Sequence, residues 1–309
     1  MLSVYIDVPD AFAASYGAQG AGEREWIADL PRLGGEFLDR WDLPPDGPPA
    51  YGMASLVLPV LQPDGTPAVL KLQQLREETA GSATGLRAWN GDGIAHLLDH
   101  DEGSATQLLE RLDATRPLSS VAEDTAVQIL AELMARLTSV PAPDGIRRLS
   151  DIAAAMLDQV ERAVWSLRDP AERRMVRNCA AAVSELVGES GASLLHWDLH
   201  YDNVLAGDRE PWLAIDPEPL AGDPGFELLP ALDNRWDEIE ATGDVPRAAL
   251  RRFDLLTEVL NLDRDRATGW TLGRVLQNAL WDVEDGKTAL DPAQAAIATT
   301  LLKRPPSRI

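Results

Sequence analysis

The feature that most restricts the fold of this chain is a short island of β pattern inside a long helical stretch. From Pro117 to about residue 302 the apolar spacing is helical, with one interruption at about 193–216. There "SLLH", "NVLA" and "WLAID" read as short strands, with a turn at Gly207-Asp208. Ahead of Pro117 the pattern is different: residues 50–113 read as strand, strand, helix, strand, strand. Strands first and helices afterwards predict an α+β chain with a small mixed β lobe and a larger helical lobe. The island also carries the densest polar run of the sequence, "LLHWDLHYDNVL", residues 194–205. His196, Asp198, His200 and Asp202 fall at alternate positions, so on an extended strand they would share one face.

Other elements follow from local pattern. Residues 20–43 place Trp26, Leu30, Leu33, Phe37 and Trp41 on one side of a helix, which Pro31 is expected to split into two pieces. "DLPPDGPP", 42–49, reads as a linker. The boundaries predicted are an N-terminal helical segment 1–48, an N-lobe 49–113 and a C-lobe 114–309. "YGMASLVLPVL" and "PAVLKL" read as strands joined by a turn with Asp64-Gly65 at its tip. A helix is expected over 76–89, then strands in "IAHLLDH" and "ATQLLERL". Ser120 and Glu123 have capping-box spacing ahead of a helix whose apolar face is Ile129, Leu130, Leu133, Met134 and Leu137. Further helices fit about 150–167 and 170–188, with Asp169-Pro170 as cap and first residue of the second.

Composition narrows the partners. A single cysteine, Cys179, excludes a disulfide framework or a cysteine metal cluster. No apolar run reaches the roughly 20 residues of a spanning helix. The opening "MLSVYIDVPDAFAASYG" lacks a basic n-region and a long apolar run, so no signal peptide is predicted and a cytoplasmic location is expected. A net charge of −22 argues against nucleic acid and anionic membranes and suits a cationic small molecule. Monomer and homodimer remain open.

Two chemistries compete for the polar run. A zinc hydrolase would need histidine ligands, and the chain has His96, His100, His196 and His200 alone. Carboxylates would have to complete the site. Phosphoryl transfer from MgATP needs a carboxylate that orients the acceptor hydroxyl, hard oxygen ligands for Mg²⁺ and a lysine for the phosphates. Asp198 precedes Asn203, Asp216 ends the apolar "WLAID", and Lys71 lies inside the apolar "PAVLKL". A lysine in such a run is costly unless it is paired or faces a ligand. A kinase-shaped binder without turnover is a third reading.

The segments "HWDLHYDNVL", "AIDPEP" and "GDPGFELLP", with "AVLKL", "GLRAWNGDGIAHLLDHD" and "QLLERLD" ahead of them, resemble the aminoglycoside phosphotransferase family, relatives of the protein kinases. The resemblance covers about residues 50–235 and is greatest to the streptomycin branch, grouped with hydroxyurea phosphotransferases. It implies a two-lobed protein-kinase-like fold, ATP as co-substrate, Mg²⁺, an aminoglycoside such as streptomycin as acceptor, and antibiotic resistance. Kinases of other small hydroxylated metabolites or antibiotics share the scaffold.

By the same resemblance Asp198 is the catalytic carboxylate, and Asn203 and Asp216 hold Mg²⁺. Lys71 contacts the α- and β-phosphates. Backbone groups of Glu110 to Leu112 meet the adenine edge. The nucleotide-covering turn falls near "YGMAS", at Gly52 and Ser55. His196 and His200 are structural, and Asp223 braces the catalytic loop. The family's lysine pairs with a glutamate that would be expected near Ser82; here Glu77 and Glu78 are the candidates, and Glu78, one helical turn before Ser82, is predicted to pair with Lys71. Glu218, Glu227, Asp233 and Asp237 are expected to line the substrate site, with Trp236 as a cation–π surface and Trp197 as either that or packing.

Overall fold

The computed structural model describes residues 6–304. The first five residues of the opening segment and the last five of the predicted C-lobe lie outside it. Two compact units divide the chain, one ending at Asp113 and the other beginning at Ala114.

The first unit opens with helices α1 (Asp10–Gly17) and α2 (Ala21–Arg40). Strands β1 (Ala50–Tyr51), β2 (Ser55–Leu61) and β3 (Pro67–Gln73) follow. Next come α3 (Glu77–Ala80) and α4 (Ser82–Trp89), then β4 (Leu97–Asp101) and β5 (Thr106–Glu110). The sheet order is β1-β2-β3-β5-β4, antiparallel throughout. The β2–β3 turn has the expected tip: Gly65 takes φ +87°, and Asp64 Oδ1 accepts the Thr66 N–H at 2.9 Å.

Alternation decides what each sheet face carries. Leu56, Leu58 and Val60 of β2 and Ala68, Leu70 and Leu72 of β3 share one buried core with Phe12, Leu30 and Phe37 of the helices. The helices of the segment 1–48 are therefore packed on the sheet. Pro31 does not split α2, contrary to expectation. Proline costs a helix interior about 3 kcal/mol, but Leu30, Gly34, Phe37 and Leu38 form a buried stripe on both sides of Pro31 that repays continuity. A Cβ on Gly34 would lie 2.3 Å from Ile6 Cδ1, so glycine is what lets α2 approach this closely.

Strand β6 (Asp113–Pro117) starts on the last residue of the first unit and leads into the second. Then come α5 (Glu123–Thr138), the short β7 (Arg147–Arg148), α6 (Leu149–Ser166) and α7 (Pro170–Leu186). The island comprises β8 (Ser193–Leu195), β9 (Val204–Ala206), β10 (Leu213–Ala214) and β11 (Leu220–Gly222). Two small sheets result, ordered β10-β9-β6 and β7-β11-β8. Helices α8 (Leu228–Asp233), α9 (Trp236–Ala241), α10 (Val245–Val259), α11 (Arg264–Glu284) and α12 (Pro292–Leu302) complete the unit.

Helix α11 is buried along most of its length and packs on α6 and α7. Asp169 caps α7 as expected, accepting the Ala171 N–H. Ser120 does not cap α5: its hydroxyl donates to Pro117 O within a 3-10 turn, and the helix begins after Ala122. Ile129 is half-buried, and Val127 takes its place on the inner face of α5. Cys179 is buried in α7, and burial pushes its thiol up to about 12. Among the described residues no helix is long and apolar enough to cross a membrane.

Candidate active site

In the first unit Lys71 and Ser55 lie on the sheet face opposite the apolar core, whereas Glu110, paired with Ala68, is on the core face. Lys71 is 6% exposed, opposite Val57 on one side and Gln107 on the other. Ser55, also buried, stands opposite Gln73 on the same face. The turn from β1 to β2 holds Gly52, whose N–H donates to Ser55 O, and Met53, which is 89% exposed.

Glu78 is half-buried on α3, whereas Ser82 begins α4 beyond Gly81. The two therefore do not share the single helix face assumed from the sequence. Ser82 is itself buried and accepts a hydrogen bond from Gln107 Nε2 at 3.1 Å. A neutral hydroxyl, tied to the cross-strand neighbour of Lys71, fills the position where the glutamate was expected. The N–H of Glu110 donates to His96 O, and its Oε2 accepts the His96 N–H. That N–H is therefore not available to a base edge. Leu112 lies past the end of β5, outside the ladder.

In the second unit the run 194–205 is not one strand. It leaves β8 at Leu195, turns at Trp197, where φ is +70°, and closes in a 3-10 turn at Tyr201–Asn203. Non-glycine residues rarely adopt positive φ, and they cluster at functional loops. Asn203 Nδ2 donates to Asp198 O at 2.9 Å and to Asp198 Oδ2 at 3.2 Å. Ile215 N–H donates to Asn203 O, and Glu218 N–H donates to His196 O. Asp216, with φ +62°, stands exposed between those two bonds.

The histidines do not form a ligand set. His196 is buried with Nε2 2.9 Å from Ile215 O, and burial lowers it to about 4, against the charges of Asp198 and Asp216. His200 Nδ1 accepts the Asp202 N–H. Burial pushes this imidazole down, but its bond to Asp198 and the charges of Asp198, Asp202 and Asp233 leave it above its ordinary value. Among the described residues no three His, Cys, Asp or Glu side chains are grouped to hold a metal.

Glu227, expected at the substrate surface, is fully buried. Its Oε2 accepts the Trp197 N–H at 2.8 Å and its Oε1 the Leu199 N–H at 3.3 Å, so it grips the backbone on both sides of Asp198. Burial raises it to about 7. The bracing role expected of Asp223 thus belongs to Glu227. Asp223 instead caps the Gly225 N–H and pairs with Arg266 Nε at 2.6 Å.

The residues around Trp197 were not foreseen. Its ring is buried, with Arg147 at 4.4 Å and Arg274 at 5.1 Å from the centroid, and its Nε1 donates to Gln277. Burial lowers the pKa of Arg274, opposed by the charges of Asp198, Glu227, Glu218 and Asp233. Trp281 is 42% exposed, 6.1 Å from Trp197. A charged residue inside the apolar "TLGRVL" was the available signal, the same kind that marked Lys71. Of the other substrate candidates, Asp233 accepts from Gln294 Nε2 and is raised to about 6 by burial. Glu218 and Trp236 are half-buried, and Asp237 is exposed.

A β unit presenting one buried lysine and a helical unit presenting a braced aspartate beside an asparagine belong to the kinase-like phosphotransferases. Comparison with solved structures agrees on the fold. A thermostable mutant of an aminoglycoside phosphotransferase, in ternary complex with ADP and hygromycin B, aligns with TM-score 0.58 and 14% identity, covering 86% of this chain and 97% of that one. Residues 40–286 match the family described as aminoglycoside/hydroxyurea antibiotic resistance kinase.

Streptomycin 6-kinase of Streptomyces glaucescens is 64% identical over 97% of this chain and 98% of its own. Hydroxyurea phosphotransferase of Kitasatospora aureofaciens is 54% identical over 92% of this chain and 82% of its own. The chain belongs to the aminoglycoside/hydroxyurea antibiotic resistance kinase family. It has a protein-kinase-like fold and is an ATP-dependent phosphotransferase with a hydroxyl acceptor.

Proposed function

We propose that this chain transfers the γ-phosphoryl group of ATP to one hydroxyl of streptomycin, in the cytoplasm, as a resistance enzyme. The identity of 64% with a streptomycin 6-kinase along nearly the whole of both chains carries this reading.

Asp198 orients the acceptor hydroxyl and takes its proton as the new P–O bond forms and the bond to ADP breaks. Its loop is held by Glu227, so the carboxylate is fixed before substrate arrives. Lys71 steadies the α- and β-phosphates, with Glu78 as its partner, while Ser55 faces the nucleotide and backbone groups at Leu112 meet the adenine edge. Asn203 and Asp216 fit Mg²⁺. The Asn203 amide nitrogen is spent on Asp198, which leaves its oxygen to a metal, and both donors are the hard oxygens Mg²⁺ prefers. When bound, the ion neutralises charge on the phosphate oxygens. Glu218, Asp233 and Trp236, with Asp237, receive the cationic acceptor.

Hydroxyurea as acceptor is the second reading, favoured by the identity of 54% with a hydroxyurea phosphotransferase. Mass analysis of products from MgATP with each compound separates the two. One added phosphoryl group on streptomycin, with turnover lost by about 10²- to 10⁴-fold in Asp198→Ala and nucleotide-dependent thermal stabilisation retained, is expected. Modification of hydroxyurea alone would overturn the streptomycin assignment. Loss of nucleotide binding in Asp198→Ala would overturn the role given to that residue.

A further inference from the structure

We propose that His200 is a positioning residue for Asp198: its Nε2–H holds Oδ2, and so reserves Oδ1 for the acceptor hydroxyl. The inference rests on the reading of Asp198 as the hydroxyl-orienting carboxylate.

The geometry fixes which ring nitrogen carries the proton. His200 is the N-cap of the 3-10 turn, and its Nδ1 accepts the Asp202 N–H at 3.2 Å. A ring nitrogen that accepts a hydrogen bond carries no proton, so the neutral ring has its proton on Nε2. That nitrogen lies 3.6 Å from Asp198 Oδ2. The distance is long for a hydrogen bond, and bonds of this kind often tighten only when substrate arrives.

Asn203 Nδ2 already donates to the same oxygen. Two donors therefore converge on Oδ2, and none of the side-chain contacts of Asp198 among the described residues is to Oδ1. A carboxylate held through one oxygen presents the other in a fixed direction, which is what a near-attack alignment of the hydroxyl requires. The carboxylates facing the ring are Asp198, Asp202 and Asp233.

Two amide replacements separate the donor from the cap. In His200→Gln the amide nitrogen reaches the place of Nε2, so the donor to Asp198 is kept. In His200→Asn the side-chain oxygen reaches the place of Nδ1, so the cap on Asp202 is kept and the donor is lost. Steady-state kinetics with MgATP and streptomycin is expected to show kcat lowered about 10- to 100-fold in His200→Asn, with KM for both substrates little changed. Recovery of most of that loss is expected in His200→Gln.

The opposite order, with Asn active and Gln impaired, would assign His200 to the cap alone and overturn the proposal. Equal activity or equal loss in the two variants would overturn it as well, because the retained donor would then count for nothing. A raised KM for ATP at preserved kcat would move the side chain to the nucleotide. Asp198→Ala is measured alongside. If it still turns over, the reading of Asp198 fails; if it is inactive while His200→Asn is normal, only the role of His200 fails.

Discussion

Lys71 and Asp198 are held in place by different means. Lys71 sits in a regular ladder, and strand alternation alone turns it away from Leu70 and Leu72. Asp198 sits in an irregular loop, where Glu227, remote in sequence, holds the backbone on either side of it. A position set by a ladder tolerates changes in its neighbours, because the sheet still dictates which face each side chain takes. A position set by a brace is only as good as that brace.

Four outcomes would break or sharpen this contrast, taken from the largest effect to the smallest. Glu227→Ala strands the Trp197 and Leu199 N–H groups and removes a charge facing buried Arg274, so a loss of about 3–5 kcal/mol in stability is expected, with kcat falling too. Denaturant melts and kinetics with streptomycin test it; normal kcat would show that the loop holds itself. Lys71→Met keeps the ladder and removes the charge. A fall of roughly 10²- to 10³-fold in kcat/KM is expected, with an unchanged melt, and a large loss of stability instead would make Lys71 a structural residue.

The third outcome concerns pH. Folding depresses His196 to about 4 from 6.5. Below pH 6.5 the unfolded chain takes up a proton that the folded ring refuses, so the stability this residue contributes is lost as pH falls from 6.5 towards 4. His196→Gln keeps a donor for Ile215 O and lacks the titration. The stability of the wild type relative to this variant should decline by about 3 kcal/mol over that window, and a constant gap would place His196 outside the buried set. Last, Asp223→Ala removes the cap on the Gly225 N–H and one of the two carboxylates paired with Arg266, and should cost about 2 kcal/mol, with kcat nearly intact. A catalytic loss as large as that of Glu227→Ala would return the brace to Asp223.

The same contrast explains what could be read from the sequence. Apolar runs on either side of a turn predicted β2 and β3 and flagged Lys71 as out of place, and the spacing of Asp198 and Asn203 survived into the folded loop. Glu227 was misread as a substrate residue because an acid near a helix start looks the same whether it meets solvent or another segment's backbone. Strands β7 and β11 are too short to show a period, and they exist only because each pairs with a distant partner. Ser120 matched a capping pattern, but a local turn at Pro117 claimed its hydroxyl first. Arg274 and Trp281 belong to a helix whose inner face is set by what packs on it, and spacing alone does not name the ring they approach.

The burial of the single cysteine gives this kinase a practical property. Cys179 is 1% exposed and its thiol is pushed up to about 12, so at neutral pH it is neither reachable nor nucleophilic towards alkylating reagents. The natural chain is in effect a thiol-silent background. A cysteine introduced for Met53, which is 89% exposed at the β1–β2 turn, would be the sole site for a maleimide fluorophore. The arrival of nucleotide could then be followed by light from one chosen atom, without first stripping the protein of native cysteines.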